Sequence, residues 1–267
     1  MTNYDEIIRD LSQHPYETVF IIGTGIVKNG WLALEQATLP SGIKIGQHAI
    51  DEISYKVFLL RFLSQNRKPN SHSIQFYRSL RREMRKIRKN IISSFSNYQR
   101  TNSIYLDIKK DYFQKYKGNK NLIVTTNWDT LLSTRYSTQA NFVYLHGNIN
   151  NSFIYLPTET SVEPYIPHSL SSSSFILQTH GVAIQALEQA RRIVLWGISL
   201  EHYDAEICCI IGDAHKQRSR KDCEYILINP CKKPLSRLER ILDTKEITFI
   251  NPFPLHKKLR HKFRKCC

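Results

Sequence analysis

The stretch Thr18-Val19-Phe20-Ile21-Ile22-Gly23-Thr24-Gly25 decides the fold. A short run of apolar and β-branched residues suits a strand buried on both faces, and the Gly-Thr-Gly that follows suits a tight loop leaving it. Comparable runs recur at Leu122–Thr125, Phe142–Leu145, Ile193–Trp196, Tyr225–Ile228 and Ile247–Ile250, most of them separated by enough chain for a helix. Repeated apolar strands with helical spacers predict an open α/β fold with a parallel sheet. The first two runs are about a hundred residues apart, far more than one crossover needs. Helical periodicity over Ile50–Leu63 and Ile74–Phe95 predicts an inserted helical module at about 48–118. Asn150–Ser174, with Pro157, Pro164, Pro167 and the four serines Ser171–Ser174, reads as a surface loop or lid.

Composition narrows the classes of function. Hydrophobic residues make up 41% and aromatic residues 11% of the 267, too many for a disordered chain. No apolar run approaches the ~20 residues that cross a bilayer, so no membrane partner is expected. The start Met-Thr-Asn-Tyr-Asp-Glu lacks the basic and apolar regions of a secretory signal, so a cytoplasmic location is expected. The six cysteines form no Cys-x-x-Cys pair, which predicts reduced thiols and no structural zinc. The net charge of +15 is concentrated in Arg78–Lys89 and Lys257–Lys265, the latter within a basic tail at about 252–267. Such runs grip phosphates, or form a solvated face, or meet an acidic protein. Nucleic acid is possible but not favoured, because no nucleic-acid motif accompanies the charge.

Chemistry-bearing segments stand where the apolar runs end, and open α/β sheets bind ligands beyond the carboxyl ends of their strands. Gly23-Thr24-Gly25 would let a diphosphate approach the backbone closely, with N–H donors from a following helix start. On that reading Gly25→Glu should abolish cofactor binding and leave the fold largely intact. Thr125-Thr126-Asn127-Trp128-Asp129 gathers hydrogen-bonding side chains, although Asn127 or Asp129 could equally cap the next helix. His146-Gly147 offers a side chain that takes a proton near neutral pH, with room beside it. Gly197-Ile198-Ser199-Leu200 offers backbone and hydroxyl donors to a phosphate or ribose. It is not a nucleophile elbow, because Glu201 stands where Gly-x-Ser-x-Gly needs its last glycine. Asn229, in Ile228-Asn229-Pro230, could reach an adenosine ribose hydroxyl.

In this order, the five segments resemble the sirtuin superfamily, especially the zinc-free sirtuin-like NAD hydrolases of bacterial antiphage defence. The resemblance spans roughly Val19–Pro230, and Gly30-Trp31-Leu32-Ala33-Leu34 resembles the Trp-x-x-Leu helix of defence-type members. It implies a Rossmann-like, doubly wound parallel sheet with a helical insertion, all in one NAD-binding domain covering 1–267. It also implies NAD as substrate, its diphosphate over Gly23-Thr24-Gly25 and the hydroxyls of Thr24 and Ser199, with Thr126, Gly197 and Leu200 also binding the cofactor and an adenosine ribose hydroxyl near Asn229. The implied roles are general base for His146, orientation of ribose and nucleophile for Asn127, and ordering of the loop or nicotinamide pocket for Asp129. Two departures matter. Gly147–Gly197 contains no cysteine, so the zinc module of deacetylating sirtuins is missing; and Val27 stands where the family commonly has serine. The implied reaction is hydrolysis to nicotinamide and ADP-ribose, with cyclisation or transfer left open. Uncontrolled NAD loss would be toxic, so an abortive-infection effector would need a sensor or regulatory subunit. A non-catalytic NAD or ADP-ribose sensor and a basic nucleic-acid-binding module remain the alternatives.

Overall fold

A computed structural model describes residues 7–8, 11, 16–26, 34, 47–65, 70–101, 121–137, 140–150, 154–159, 170–218 and 222–252. Six strands form one sheet: β1 (Thr18–Ile22), β2 (Asn121–Thr125), β3 (Ala140–Tyr144), β4 (Arg192–Trp196), β5 (Glu224–Ile228) and β6 (Ile247–Ile250). All neighbouring strands are parallel, in the order β3-β2-β1-β4-β5-β6. The chain therefore winds outward from β1 to one edge, returns to place β4 on the other side of β1, and winds outward again. This is the doubly wound Rossmann arrangement, and its strand order reverses between β1 and β4. Ile22, Thr125, Tyr144, Trp196, Ile228 and Ile250 are in register and form one row along the carboxyl edge.

Helices α1 (Gln47–Ser64) and α2 (Ser71–Thr101) lie between β1 and β2 in the chain, and α3 (Leu131–Tyr136) follows β2. Helix α4 (Leu170–Gln189) precedes β4, α5 (Ala205–Gln217) joins β4 to β5, and α6 (Lys233–Leu242) joins β5 to β6. Because successive strand residues point to opposite faces, β1 feeds two cores. Phe20 and Ile22 pack with Ile53 and Val57 of α1 and with Met84, Ile87, Ile91 and Phe95 of α2. Val19 and Ile21 pack with Val182, Ala186 and Leu187 of α4, Ile207 and Ile211 of α5, and Leu238 of α6. Each such side chain stabilises the fold by roughly 1.5–3 kcal/mol on burial. Both faces being covered explains why the strands read as continuous apolar runs rather than alternating ones.

Two expectations need correction. Ser171–Ser174 belong to the start of α4, not to a loop, since the helix begins at Leu170; serine competes with the helical backbone less in a first turn, where N–H groups lack partners, than mid-helix. The basic run on α2 is not uniformly solvated. Arg88 donates from Nε to the Ile154 carbonyl at 2.9 Å and from Nη2 to both Glu159 carboxylate oxygens at 2.6 and 2.7 Å. Glu159 also accepts the Leu156 N–H at 2.7 Å, so this ion pair fastens the segment after β3 to α2. Helix α1 is joined to α2 by Lys56, which bonds Glu83 and its own-helix neighbour Glu52. No described helix is long and apolar enough to cross a membrane. Val27, Gly30–Ala33, the end of the expected insertion and nearly all of the basic tail lie outside the described residues.

Candidate functional site

Gly23, Gly197 and Asn229 stand one residue beyond the row that ends the strands, Thr125 lies in that row, and His146 is two residues past it. At the point where the strand order reverses, the β1 and β4 loops close on each other. Gly23 N–H donates to the Trp196 carbonyl and Gly25 N–H to the Gly197 carbonyl, both at 3.0 Å. The approach is so tight that a Cβ on Gly25 would lie 2.8 Å from Gly197 Cα, and one on Gly23 would lie 2.6 Å from the Gly197 oxygen. These glycines are required first by backbone-on-backbone packing. Gly25→Glu is therefore not the clean probe of cofactor binding expected from the sequence: its Cβ meets backbone before its carboxylate meets any ligand. Thr24 is half-buried and Gly25 exposed, so the loop retains an open face.

The β2 segment is organised by Thr125, whose hydroxyl donates to the Ile22 carbonyl at 2.8 Å and accepts the Asn127 N–H at 3.1 Å. This turns the Asn127 side chain back toward β1, with Nδ2 3.5 Å from the Gly23 carbonyl. Asn127 is only 1% exposed, and its Oδ1 is buried without a protein hydrogen-bond partner. A buried acceptor left unpaired costs about 1–3 kcal/mol, so it is the kind of feature retained for a ligand or water. Thr126 is half-buried. Trp128 is fixed by donation from Nε1 to the Tyr155 carbonyl at 2.8 Å and by an edge-on contact with Phe95.

Asp129 does what the capping alternative expected: its Oδ1 accepts the Leu131 N–H at 3.2 Å, at the start of α3. Burial raises its pKa from 3.8 to about 6, against the opposing pull of backbone N–H groups. A carboxyl whose pKa is raised on folding loses stability as pH climbs, between the unfolded value near 4 and the folded value near 6. Asp129→Asn keeps the acceptor and removes the charge. It should melt higher than the parent above pH 6, by up to about 3 kcal/mol for a shift of this size, with the advantage vanishing near pH 4. Identical pH dependence of the two melting curves would contradict the raised pKa.

In the turn after β3, His146 is buried against the carboxylate of Glu206, its Nε2 meeting Oε1. Burial pushes the imidazole pKa down to about 3, nearby His180 adds to this, and a hydrogen bond to the Thr126 backbone works the other way. Burial also drives Glu206 well above the usual carboxylate range, with Asp204 adding to it. The favoured state of this pair is neutral histidine beside protonated glutamate. Glu206 Oε2 and His180 Nε2 are buried without hydrogen-bond partners.

The Gly-x-Ser segment is braced from three sides. Ser199 donates its hydroxyl to Asp204 at 2.5 Å and accepts the Glu201 N–H at 3.3 Å. Arg237 of α6 donates to the Ser199 carbonyl at 3.0 Å and pairs with Glu201 at 2.7 Å. Asn229 donates to the Ile198 carbonyl at 2.8 Å and accepts the Cys231 N–H at 3.0 Å, so both ends of its amide hold the loops together. Leu200 has a left-handed backbone, φ 53°, and a side chain buried in the core that α4, α5 and α6 form on the sheet. The fold thus gathers Gly23–Gly25, Asn127 and Gly197–Ser199 around the β1–β4 reversal, with His146 one strand beyond β2.

Sequence reading missed Glu206, His180 and Arg237. The one usable signal was periodicity, since Glu206 stands four residues before Ile210 and so extends the buried stripe of α5. An acid in the first turn of a helix otherwise reads as an ordinary dipole partner.

These features define a doubly wound α/β protein with polar side chains and close-packed glycine loops at its strand-order reversal. No protein-family model and no curated protein matches the chain. Similar solved structures include a Sir2 complex with an inhibitor, 2'-O-acetyl-ADP-ribose and a deacetylated peptide, at 16% identity, TM-score 0.40 and 98% coverage of both chains. Two mutants of a Sir2 homologue bound to ADP-ribose are similar at 14% and 15% identity, TM-scores 0.43 and 0.39, covering 98% of this chain and 97% of theirs.

Proposed function

We propose that this chain binds NAD at its carboxyl-edge crevice and cleaves the nicotinamide glycosidic bond, releasing nicotinamide and ADP-ribose. The observation that carries the reading is Asn127, whose buried Oδ1 has no protein partner and which follows β2, between the Gly23 loop after β1 and the turn after β3 that bears His146. The motif order that resembles zinc-free sirtuin-like hydrolases supplies the substrate. The reaction asks for stabilisation of an oxocarbenium-like ribosyl centre and for a positioned water. Asn127 Oδ1 accepts a hydroxyl or water proton and fixes its direction. His146 takes up the proton released, and Asp129 holds the loop that carries Asn127. The diphosphate lies along the open face at Thr24, Gly197 and Ser199, while Asn229 holds the loops in place. Departure of neutral nicotinamide asks for no metal ion.

The same reading makes the chain the NAD-depleting effector of a bacterial antiphage system, restrained until a partner activates it. The basic face of α2 is the proposed docking surface, its exposed Arg81, Arg82, Arg85, Lys86 and Lys89 facing an acidic partner. Product analysis tests both levels. Incubation with NAD should yield nicotinamide and ADP-ribose in equal amounts, slowly alone and faster with the protein encoded beside it. Intact NAD under every condition overturns the hydrolase, and full turnover unaffected by any neighbour overturns the gating. Intact NAD carried through purification would point to a sensor instead.

A further inference from the structure

We propose that Glu206 is the proton-holding partner of His146: it orients the imidazole through Nε2 and holds the proton that must leave the pair before the histidine can serve as a base. The inference rests on the NAD-cleaving reading for its catalytic consequence, but not for the pairing itself.

Three observations support it. Glu206 lies in the first turn of α5, yet it is turned inward rather than toward solvent, and its side chain is only 4% exposed. Its Oε1 meets His146 Nε2, while Oε2 has no hydrogen-bond partner. The other side of the ring is engaged as well: a hydrogen bond to the Thr126 backbone favours the protonated ring, which identifies it as N–H donation to a carbonyl. Both ring nitrogens are therefore occupied, and His146 in this arrangement has no lone pair to offer a substrate hydroxyl or water.

The proton balance follows. At rest the pair is neutral overall, with one proton on the nitrogen facing Thr126 and one between Nε2 and Glu206. Loss of the latter to solvent leaves a glutamate carboxylate and an Nε2 lone pair. That state accepts a proton from the nucleophile, and the resulting imidazolium is stabilised by the carboxylate beside it. The pair gains and loses protons as one unit. The titratable groups that reach it are Asp204, on the turn before α5, and His180, from α4. Asp204 disfavours the carboxylate and His180 disfavours the imidazolium. Arg237, the nearby cation of α6, is engaged by Glu201 and the Ser199 carbonyl. Cys208, on the same helix, is held as a thiol by burial, with its pKa pushed up to about 11.

The test uses the full chain, uniformly labelled with 15N-histidine, the His146 resonances being assigned by their loss in His146→Gln. In the parent the two ring nitrogens should titrate with the pair, far from the single step near pH 6.5 of a free imidazole. In Glu206→Gln, which keeps the shape and removes the exchangeable carboxyl proton, that step should disappear. An ordinary imidazole titration in the parent, or the same curve in both proteins, overturns the proposal. An ordinary imidazole step in the parent overturns the pairing by itself, so the proposal stays testable even if Glu206→Gln does not fold. In turnover, kcat should rise with pH as the parent pair loses its proton. Glu206→Gln should lower kcat roughly a hundredfold, remove that pH limb and leave KM within a few fold. Wild-type kcat and pH profile in Glu206→Gln overturn the catalytic consequence. A protein that cleaves no NAD fails the hydrolase reading alone, since the resonance titration still reads the pair.

Discussion

His146→Ala and Asn127→Ala should each lower nicotinamide release from NAD by roughly a hundred- to ten-thousand-fold, the range by which positioned acid–base groups speed proton transfer. The two variants should differ in stability, and that difference separates catalytic from structural roles. Asn127 Oδ1 is a buried acceptor without a partner, and Nδ2 makes only a 3.5 Å contact with the Gly23 carbonyl. Removing the side chain removes an unsatisfied group, so Asn127→Ala should melt at or above the parent temperature while losing activity. His146→Ala leaves Glu206 without its partner in a closed interior. An orphaned polar group of that kind costs about 1–3 kcal/mol, so this variant should melt lower but still cooperatively. Nicotinamide quantified by chromatography, alongside thermal melts of the same preparations, reads both effects. Parent-like turnover in Asn127→Ala would remove the orienting role and leave the proposed hydrolysis without a mechanism. Parent-like turnover in His146→Ala would remove the base.

The strands were legible because each is buried on both faces and so carries a continuous apolar signal: all six runs became strands, with ends moved by at most two residues. Helices α1 and α2 were legible for a similar reason. The stripe Leu80, Met84, Ile87, Ile91 and Phe95 of α2 repeats at helical spacing, with cations on the remaining faces. The candidate residues were legible as positions, since a polar cluster directly after an apolar run must stand on the carboxyl edge of a parallel sheet. What each side chain faces was not. Asn229 reads as a ribose contact, and its amide also braces two loops, because its partners are Ile198, just past β4 and 31 positions away, and Cys231 on its own turn. The His146–Glu206 pair joins residues sixty positions apart through the packing of α5 against the sheet. No local pattern records that contact. The glycines were read for a ligand, whereas the contact that excludes a side chain is another loop of the same chain.

That contact makes Gly197 the position where a substitution should cost most. Its φ of 64° lies in the left-handed region, which a β-branched residue adopts only under strain. A Cβ there would sit 2.8 Å from Ile26 N and 2.9 Å from the Gly25 carbonyl carbon. Both are backbone atoms, held by the Gly25 N–H bond to Gly197 and by β1 itself, so neither can swing aside as a side chain would. Relief requires the β1 and β4 loops to part, which breaks the 3.0 Å bond between them and loosens the Ile198 and Ile26 packing behind it. Gly197→Val should therefore destabilise the protein by more than about 3 kcal/mol, summing backbone strain with overpacking, and should abolish NAD binding in whatever fraction folds. Gly181→Ala is the matched control: Gly181 lies within α4 with nothing inside 4 Å of the added Cβ. In a helix interior that exchange should stabilise by roughly 0.5–1 kcal/mol. Urea unfolding of the three proteins measures both signs. A Gly197→Val midpoint close to the parent's would mean that the two loops do not meet as described, and the crevice at the strand-order reversal would have to be drawn differently.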